Sequence, residues 1–260
     1  MDVTSLAYRT DLALLRLAGS EVHDHGTHII VRTADNPTYW WGNFLLMSHP
    51  PRADEVPAWI ELFEATYPAS RHVAFGVDGA DGSVEDLAAF RDAGLNVEGS
   101  TVMTATSVHE PPRPNREATY RPLVSDDDWQ QQVELGIAGE HEDGGQDFVI
   151  AKTAAERSLT GRGIGEWWGA FVDGRLLASM GLFSASPGLA RFQQVKTHPD
   201  ARGRGLAGTL VHEVSRFGFD ELGAQTLVMV ADPDYLAIRV YRSVGFADTE
   251  TQLQADRKPT

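Results

Sequence analysis

The stretch from Val195 to Gly208 combines glycines and arginines at a spacing that can hold a phosphate group. Gly203 and Gly205 can adopt backbone angles that other residues avoid, and they allow a ligand to approach the main chain closely. Successive backbone N–H groups then converge at the N-terminus of a following helix, where the helix dipole is positive. Arg202 and Arg204 add positive charge. The segment therefore predicts a main-chain cradle for a pyrophosphate.

Two well-known phosphate-binding motifs do not fit this stretch. A Walker loop requires G-K-[ST], which this sequence lacks. Gly203–Gly208 has the G-x-G-x-x-G spacing, but a dinucleotide-binding turn also requires an acidic residue ~20 positions later, at the end of the second strand, and the predicted strand Thr226–Val230 contains none. An ordinary glycine-containing turn between a strand and a helix stays an alternative. A second glycine-rich stretch, Gly161–Gly165, precedes a predicted strand, and we interpret it as a connecting loop.

Strands and helices must flank the cradle in order to position it. Arg191–Thr197 has the composition of a strand, and Leu206, Leu210, Val214 and Phe217 recur at helical spacing, which predicts a helix over 206–219. The following elements are predicted as a strand at Thr226–Val230, a helix at Tyr235–Val244 and a strand at Phe246–Leu253. Asp173-Gly174 lies between two apolar runs and predicts a β-hairpin. Together these elements indicate a mixed α/β fold.

A boundary is predicted upstream of these elements. His109–Arg116 contains three prolines in eight residues. Because proline fixes φ and has no N–H, such a run cannot form a helix interior or a central strand. We predict a linker here, which separates domains at residues 1–112 and 117–260. In the first domain, Thr38–Met47 is predicted to be a strand and Asp11–Ala18 a short helix.

The two predicted domains share a similar tail. Ala89–Leu95 (AFRDAGL) matches Val240–Phe246 (VYRSVGF), and at the same offset Ala80-Asp81 matches Ala231-Asp232. This predicts an internal repeat of one strand–helix–strand unit. A chance similarity of two amphipathic helices that each end at glycine is the alternative. The N-terminal loop that corresponds to the cradle, 49–54, has two prolines and no glycine, so we expect no phosphate cradle there.

Three motifs of the C-terminal half occur together and in order. They are Tyr120–Leu123 (YRPL), Arg202-x-x-Gly205-x-Ala207, and Asp234–Phe246 (DYLAIRVYRSVGF). The second is similar to the R/Q-x-x-G-x-G/A signature of the GNAT superfamily of N-acetyltransferases, and the third resembles the family's N-x-x-A-x-x-x-Y-x-x-x-G-F block. The resemblance covers roughly residues 118 to 253. It implies an α/β (α+β) fold with a mixed, mostly antiparallel sheet flanked by helices, preceded by a smaller, degenerate GNAT-like N-terminal domain.

The same resemblance implies roles for individual residues around acetyl-CoA. Main-chain atoms of Val195 and Thr197 would contact the pantetheine and the acetyl group, and 202–208 would hold the pyrophosphate. Tyr241 matches the tyrosine that protonates the leaving thiolate, with a packed structural aromatic as the alternative. Asp234 stands where the family has asparagine, and an ionised carboxylate cannot donate a hydrogen bond. The full implied coenzyme-binding set is Val195, Lys196, Thr197, Arg202, Gly203, Arg204, Gly205, Leu206, Ala207, Gly208 and Asp234.

The acceptor and the general base are less well determined by the sequence. An amine must lose a proton to attack, but the strand before the cradle carries Gln193 and Gln194. The candidate bases are Glu140, Glu142, Asp143 and Glu166, each also explained as a solvated carboxylate. The acidic loop favours a small cationic primary amine, while protein amines, hydroxyl acceptors and longer acyl chains stay open. A catalytically silent acyl-CoA-binding, sensing or scaffold module is the alternative function.

Composition narrows the classes of partner and of chemistry that this protein could have. The 260 residues carry a net charge of −15, which disfavours nucleic acid and anionic membranes as partners. The absence of cysteine excludes disulfides and thiolate chemistry. We find neither a secretory leader nor an apolar run of ~20 residues, so we expect a cytoplasmic protein. His23, His25 and His28 are spaced as metal ligands can be, but we expect no metal. The oligomeric state stays open, a homodimer included.

Overall fold

The computed structural model describes residues 1–37, 39–139 and 145–258. They form two compact units. The first unit joins Met1–Met103, Val230–Pro233 and the segment from Asp248 onward, and the second joins Thr104–Met229 with Asp234–Ala247. These units differ from the domains predicted at 1–112 and 117–260, because the C-terminal strand belongs to the first unit and the predicted linker lies within the second.

The first unit contains three helices and six strands among its described residues. The helices are α1 (Leu6–Leu17), α2 (Val56–Thr66) and α3 (Ala88–Asp92), and the strands are β1 (Glu21–Asp24), β2 (His28–Arg32), β3 (Phe44–Met47), β4 (Val73–Val77), β5 (Asn96–Ala105) and β11 (Ala247–Arg257). Their order in the sheet is β1-β2-β3-β4-β11-β5. β3 and β4 are parallel, whereas β11 is antiparallel to β4. The final strand of the chain therefore completes the sheet of the first unit.

Burial of α1 against this sheet fixes its position. Ser5 caps the helix by accepting a hydrogen bond from the Tyr8 N–H. The Tyr8 ring is fully buried, and its hydroxyl donates to the Leu253 carbonyl at 2.6 Å. Gly76 of β4 leaves room for this ring, because an added Cβ would lie 2.6 Å from the Tyr8 hydroxyl oxygen. The hydrogen-bonded Tyr8 hydroxyl thus links α1 to β11.

The second unit contains the remaining elements of the described chain. These are β6 (Thr119–Pro122), α4 (Asp126–Ala138), α5 (Gly145–Thr160), β7 (Gly165–Val172), β8 (Arg175–Ser186), β9 (Leu189–Thr197), α6 (Leu206–Asp220), β10 (Thr226–Ala231) and α7 (Ala237–Arg242). The strand order is β10-β9-β8-β7-β6. All neighbours are antiparallel except β9 and β10, which are parallel. None of the helices in either unit's described residues is long and apolar enough to cross a membrane.

The predicted packing of α6 is confirmed. Leu206, Leu210 and Val214 are buried on one face of the helix, and Phe217 is half-buried. Gly218 lies close to the sheet, because a Cβ there would be 2.6 Å from a Leu182 methyl group. The absence of a side chain at Gly218 therefore lets the last turn of α6 pack closely against β8.

The predicted hairpin is confirmed, and one predicted strand is wrong. Asp173 and Gly174 both have positive φ, 50° and 78°, as a tight turn between antiparallel strands requires. Of the strand predicted over Thr38–Met47, Thr38 lies outside the described residues, and the part from Tyr39 is a strand only from Phe44. A 3-10 turn occupies Trp40–Gly42, and the Asn43 amide holds it by donating to the carbonyls of Asn36 and Tyr39.

Candidate active site

The parallel strands β9 and β10 part in the middle of their length. Their pairing covers Leu189–Arg191 with Thr226–Val228. Beyond these pairs β9 continues to Thr197 and β10 to Ala231. The main-chain groups of the separating segments face a gap between two strands. This is the place where the sequence predicts that Val195, Lys196 and Thr197 meet a ligand.

A β-bulge deforms β9 at the start of this gap. Gly181 pairs with Gln193 and Ser179 with Lys196, so Gln194 and Val195 together oppose one residue of β8. Gln194 has φ of 30°, which is unusual for a residue other than glycine. A bulge releases main-chain groups from the strand ladder and redirects them. The bulge thus frees main-chain groups of Gln194 and Val195 from the ladder with β8, in the part of β9 that no longer pairs with β10.

The loop between β9 and α6 adopts the conformation that its glycines predict. Gly203 and Gly205 have φ of 77° and 76°. An added Cβ at Gly203 would meet nothing within 4 Å, whereas at Gly205 it would lie 2.5 Å from the Arg113 carbonyl oxygen. The space beside Gly203 is therefore open to a ligand. At position 205 only glycine fits, because the backbone angle is left-handed and residue 113 approaches closely.

The N-terminus of α6 offers free donors. Gly205 is the N-cap residue, and in the described chain no side chain caps this helix. The first N–H groups of a helix lack partners inside the helix, so those of Leu206, Ala207 and Gly208 are available to an anion. The Leu206 side chain itself is buried in the core. Its contribution to binding is restricted to the main chain.

Charge around the loop is unevenly distributed. Arg202 is exposed and has no carboxylate within salt-bridge distance among the described residues. Arg204 lies 3.0 Å from the Glu117 carboxylate. Lys196 follows the bulge, and its side chain extends toward α4. A Cβ added at Gly136 of that helix would lie 3.4 Å from the Lys196 ammonium nitrogen. Arg202 is consequently an exposed cation beside Gly203 without a carboxylate partner in the described chain.

Tyr241 lies on α7, which packs against the first turn of α6. At Gly208 an added Cβ would be 3.4 Å from a Val240 methyl group. The Tyr241 side chain is 6% exposed. Burial raises its pKa well above the usual value, with a smaller contribution from Tyr235. The phenol therefore keeps its proton at neutral pH, and α7 brings it to the same end of the unit as the loop.

The structure places the remaining predicted residues as follows. Asp234 is exposed in the turn before α7. Glu166 is half-buried on β7, and burial raises the pKa of its carboxyl. It pairs with Leu182, whose side chain lies against α6. His25 and His28 stack with ring centroids 5.0 Å apart in the first unit. The candidate bases Glu140, Glu142 and Asp143 lie outside the described residues.

One buried residue was missed because it lies in the predicted linker. Asn115 donates from Nδ2 to the Arg204 carbonyl at 3.0 Å, and its N–H donates to the Thr209 hydroxyl at 2.8 Å. The segment 109–116 therefore packs on the loop instead of connecting two domains. An asparagine beside proline carries no sequence signal for such a contact.

The first unit contains a related arrangement without a gap. β3 and β4 pair through their last residues, Met47 with Val77, and the Asp78 N–H adds a hydrogen bond to the Met47 carbonyl at 2.9 Å. Where α7 carries Tyr241, α3 carries the fully buried Phe90. This half thus has neither separated strands nor a phenol at the corresponding positions.

The helix ends agree with the predicted repeat. The Leu95 N–H donates to the Phe90 carbonyl at 3.0 Å, and the Phe246 N–H donates to the Tyr241 carbonyl at 3.2 Å. The glycine that precedes each donor has positive φ. The aligned residues consequently adopt the same helix termination, as a strand–helix–strand repeat requires.

Comparison with known proteins agrees with this geometry. Residues 129–246 match the model of the acetyltransferase (GNAT) family. No curated protein sequence matches the chain.

Several solved structures share the fold over nearly the whole chain. A functionally unknown conserved protein from Staphylococcus epidermidis is 13% identical with a TM-score of 0.74, covering 92% of this chain and 93% of its own. A GCN5-related N-acetyltransferase from Kribbella flavida is 15% identical with a TM-score of 0.67, covering 98% and 97%. A tandem GNAT protein from the clavulanic acid biosynthesis pathway is 12% identical with a TM-score of 0.55, covering 84% and 75%.

Proposed function

Because residues 129–246 belong to the GNAT acetyltransferase family, we propose that the second unit transfers the acetyl group of acetyl-CoA to a primary amine. The observation that carries the proposal is the arrangement at the end of β9. Along the chain, the bulge at Gln194 and the gap between β9 and β10 come first, and the uncapped start of α6 follows. In our proposal an extended thioester lies along these three features. A phenol on the neighbouring α7 completes the set.

In this proposal the chain binds acetyl-CoA mainly through its main chain. The N–H groups of 203–208 hold the pyrophosphate at the positive end of α6, with Arg202 adding charge. Main-chain groups of Val195 and Thr197 contact the pantetheine and polarise the thioester carbonyl. Asp234, which stands where the family has asparagine, is an exposed turn residue. In our proposal it contacts the coenzyme through main-chain atoms.

The chemical step is the attack of the neutral amine nitrogen on the thioester carbonyl carbon. A C–N bond forms, the C–S bond breaks, and the amine loses a proton to solvent. Tyr241 donates its proton to the leaving thiolate and regains one from water. Because burial keeps the Tyr241 phenol protonated, it is in the donor state before each turnover. Net charge of −15 favours a small cationic amine over an anionic acceptor at encounter.

The test is thiol release from acetyl-CoA by the full chain in the presence of a panel of primary amines. We expect amine-dependent release of free coenzyme A. Saturable binding without release for any amine would instead support the silent binding module, and the absence of binding would contradict both.

A matched pair of variants tests the cradle. Gly203→Asp and Gly203→Asn have similar shapes, and both residue types tolerate the left-handed backbone angle. The aspartate places a negative charge at the pyrophosphate, so we expect it to weaken acetyl-CoA binding at least about tenfold relative to the asparagine variant. Equal affinities of the two variants would show that no phosphate binds there. Gly205 is unsuitable for this test, because any side chain would strike the Arg113 carbonyl.

A further inference from the structure

The proline-rich segment His109–Arg116, here called the strap, lies against the coenzyme-binding loop. We propose that Asn115 in the strap is a positioning residue, which sets the direction of the loop N–H groups before acetyl-CoA binds. This inference rests on the proposed function of the loop. It assigns to the strap a part in coenzyme affinity that neither its sequence nor the family match indicates.

Asn115 is held firmly enough to act in this way. It is 8% exposed. Its Oδ1 accepts hydrogen bonds from the N–H groups of Glu117 and Ala118 at 3.1 and 3.0 Å. Its carbonyl accepts from the Tyr120 hydroxyl at 3.3 Å. The side chain therefore has one orientation, with Nδ2 directed at the loop.

Asn115 contacts two consecutive peptide groups of the loop. Its Nδ2 donates directly to the Arg204 carbonyl at 3.0 Å. Its backbone N–H donates to the Thr209 hydroxyl at 2.8 Å, and that hydroxyl donates to the Gly205 carbonyl at 3.1 Å. One asparagine thus engages the carbonyl groups on both sides of the Gly205 Cα atom.

The direction of a carbonyl determines the direction of the next N–H group. In a planar trans peptide, the C=O of one residue and the N–H of the following residue point in opposite directions. Because the Arg204 carbonyl faces the strap, the Gly205 N–H faces away from it. In the same way the bound Gly205 carbonyl directs the Leu206 N–H. If either peptide turned over, a carbonyl oxygen would face the coenzyme phosphate and repel it.

The strap is anchored at its other end to the helix of Tyr241. The His109 N–H donates to the Val244 carbonyl, two residues beyond α7, at 3.0 Å. Pro111 is buried against Gly208, where an added Cβ would be 3.3 Å from its ring. Prolines limit the backbone freedom of the segment between these anchors. The strap therefore fixes the loop relative to the proton donor.

Asn115→Asp tests this role directly. Aspartate keeps the acceptor for Glu117 and Ala118 but turns an oxygen instead of a donor toward the Arg204 carbonyl. Asn115→Ala removes the side-chain contacts, and Gln225→Glu adds the same charge at an exposed position of the second unit as a matched control. We expect the KM for acetyl-CoA to rise about tenfold in both Asn115 variants and to stay at the wild-type value in the control.

Two further readouts separate positioning from general loss of structure. The KM for the amine and kcat at saturating acetyl-CoA should stay within about twofold of wild type. Hydrogen exchange of the coenzyme-free protein should accelerate at the Thr209 amide, which donates to the Gly205 carbonyl at 3.2 Å, with β7 and β8 unchanged. The inference is overturned if wild type binds acetyl-CoA and Asn115→Asp binds it equally well, or if exchange accelerates throughout the second unit. Failure of wild type to bind would remove the proposed function first, and this inference with it.

Discussion

At the scale of single residues, Tyr241 has an environment that keeps its hydroxyl protonated. Its side chain is 6% exposed, and burial raises the pKa of its hydroxyl above the ordinary 10.0, as does the nearby Tyr235. A raised pKa weakens the phenol as an acid, but a departing alkyl thiolate still gains from a proton donor within hydrogen-bond reach. The corresponding Phe90 of the first unit fills the same kind of packing position without a hydroxyl.

Tyr241→Phe is expected to lower kcat about 100-fold while leaving the Kd for acetyl-CoA unchanged, because only the proton donor is lost. Stopped-flow thiol release and calorimetric titration measure the two quantities. Tyr235→Phe is the control, since that ring is exposed, and it should keep kcat within about twofold. Because the pKa of Tyr241 is raised, the wild-type rate should not fall between pH 8 and about pH 10. Full turnover of Tyr241→Phe over this range would exclude the assigned role.

At the scale of elements, the start of α4 depends on a buried carboxylate that forms an ion pair with a partly exposed arginine. The Asp128 carboxylate accepts from both terminal nitrogens of Arg121 at 2.7 and 2.8 Å. It also accepts from the N–H groups of Val124 and Ser125 at 2.9 and 3.0 Å. The hydrogen bonds from Arg121, and then those from the two backbone groups, lower the pKa of Asp128 far below its usual value. This carboxylate joins β6 to α4 and completes the helix cap.

Asp128→Asn is expected to lower the free energy of unfolding by about 2 kcal/mol at pH 7, because it leaves Arg121 without its partner beside a buried amide. The folded-state pKa lies below the unfolded one, so the wild-type carboxylate stabilises the protein above about pH 4 and loses this effect as the pH falls. Urea denaturation at pH 7 and pH 3 should show the difference between the two proteins shrinking. The exposed Asp127→Asn is the control, and an equal loss there would refute a special role for Asp128.

Local sequence signals predicted the elements that local chemistry determines. The helix over 206–219 is observed as Leu206–Asp220, because apolar spacing and a left-handed glycine at its start act within a few residues. The glycine conformations of the cradle followed from the same kind of signal. The predicted helix at 235–244 is shorter, Ala237–Arg242, since Asp234 and the two following residues form its entering turn.

Features that depend on distant partners were not predictable. The bulge at Gln194 arises from register against β8, and nothing in Gln-Gln-Val indicates it. The strap was predicted to be a linker because its prolines exclude regular structure, but irregular backbone can still be buried, as Asn115 and Pro111 are. The aromatic run at 39–41 has the composition of a strand, yet hydrogen bonds from Asn43 fold it into a turn.

At the scale of the whole molecule, the two units share a tail but differ where a coenzyme would bind. The second unit separates β9 from β10 and places two left-handed glycines before α6. The first pairs β3 with β4 to their ends and enters α2 through a loop that contains Pro50 and Pro51. A closed strand pair exposes no main-chain groups, and proline has no N–H to offer an anion. These contrasts support the proposal that the first unit is a degenerate GNAT-like domain without a coenzyme site.

One acetyl-CoA is therefore expected to bind per chain, in the second unit alone. Isothermal titration of the full chain should give a stoichiometry of about one, because the open strand pair β9–β10 and the left-handed glycines before α6 both lie in the second unit. Arg52→Glu alters the first-unit loop at an exposed side chain and should leave both stoichiometry and affinity unchanged. Arg202→Glu makes the same charge change beside Gly203 and should weaken binding at least about tenfold. A second site that Arg52→Glu abolishes would show that the first unit binds coenzyme despite its closed strands.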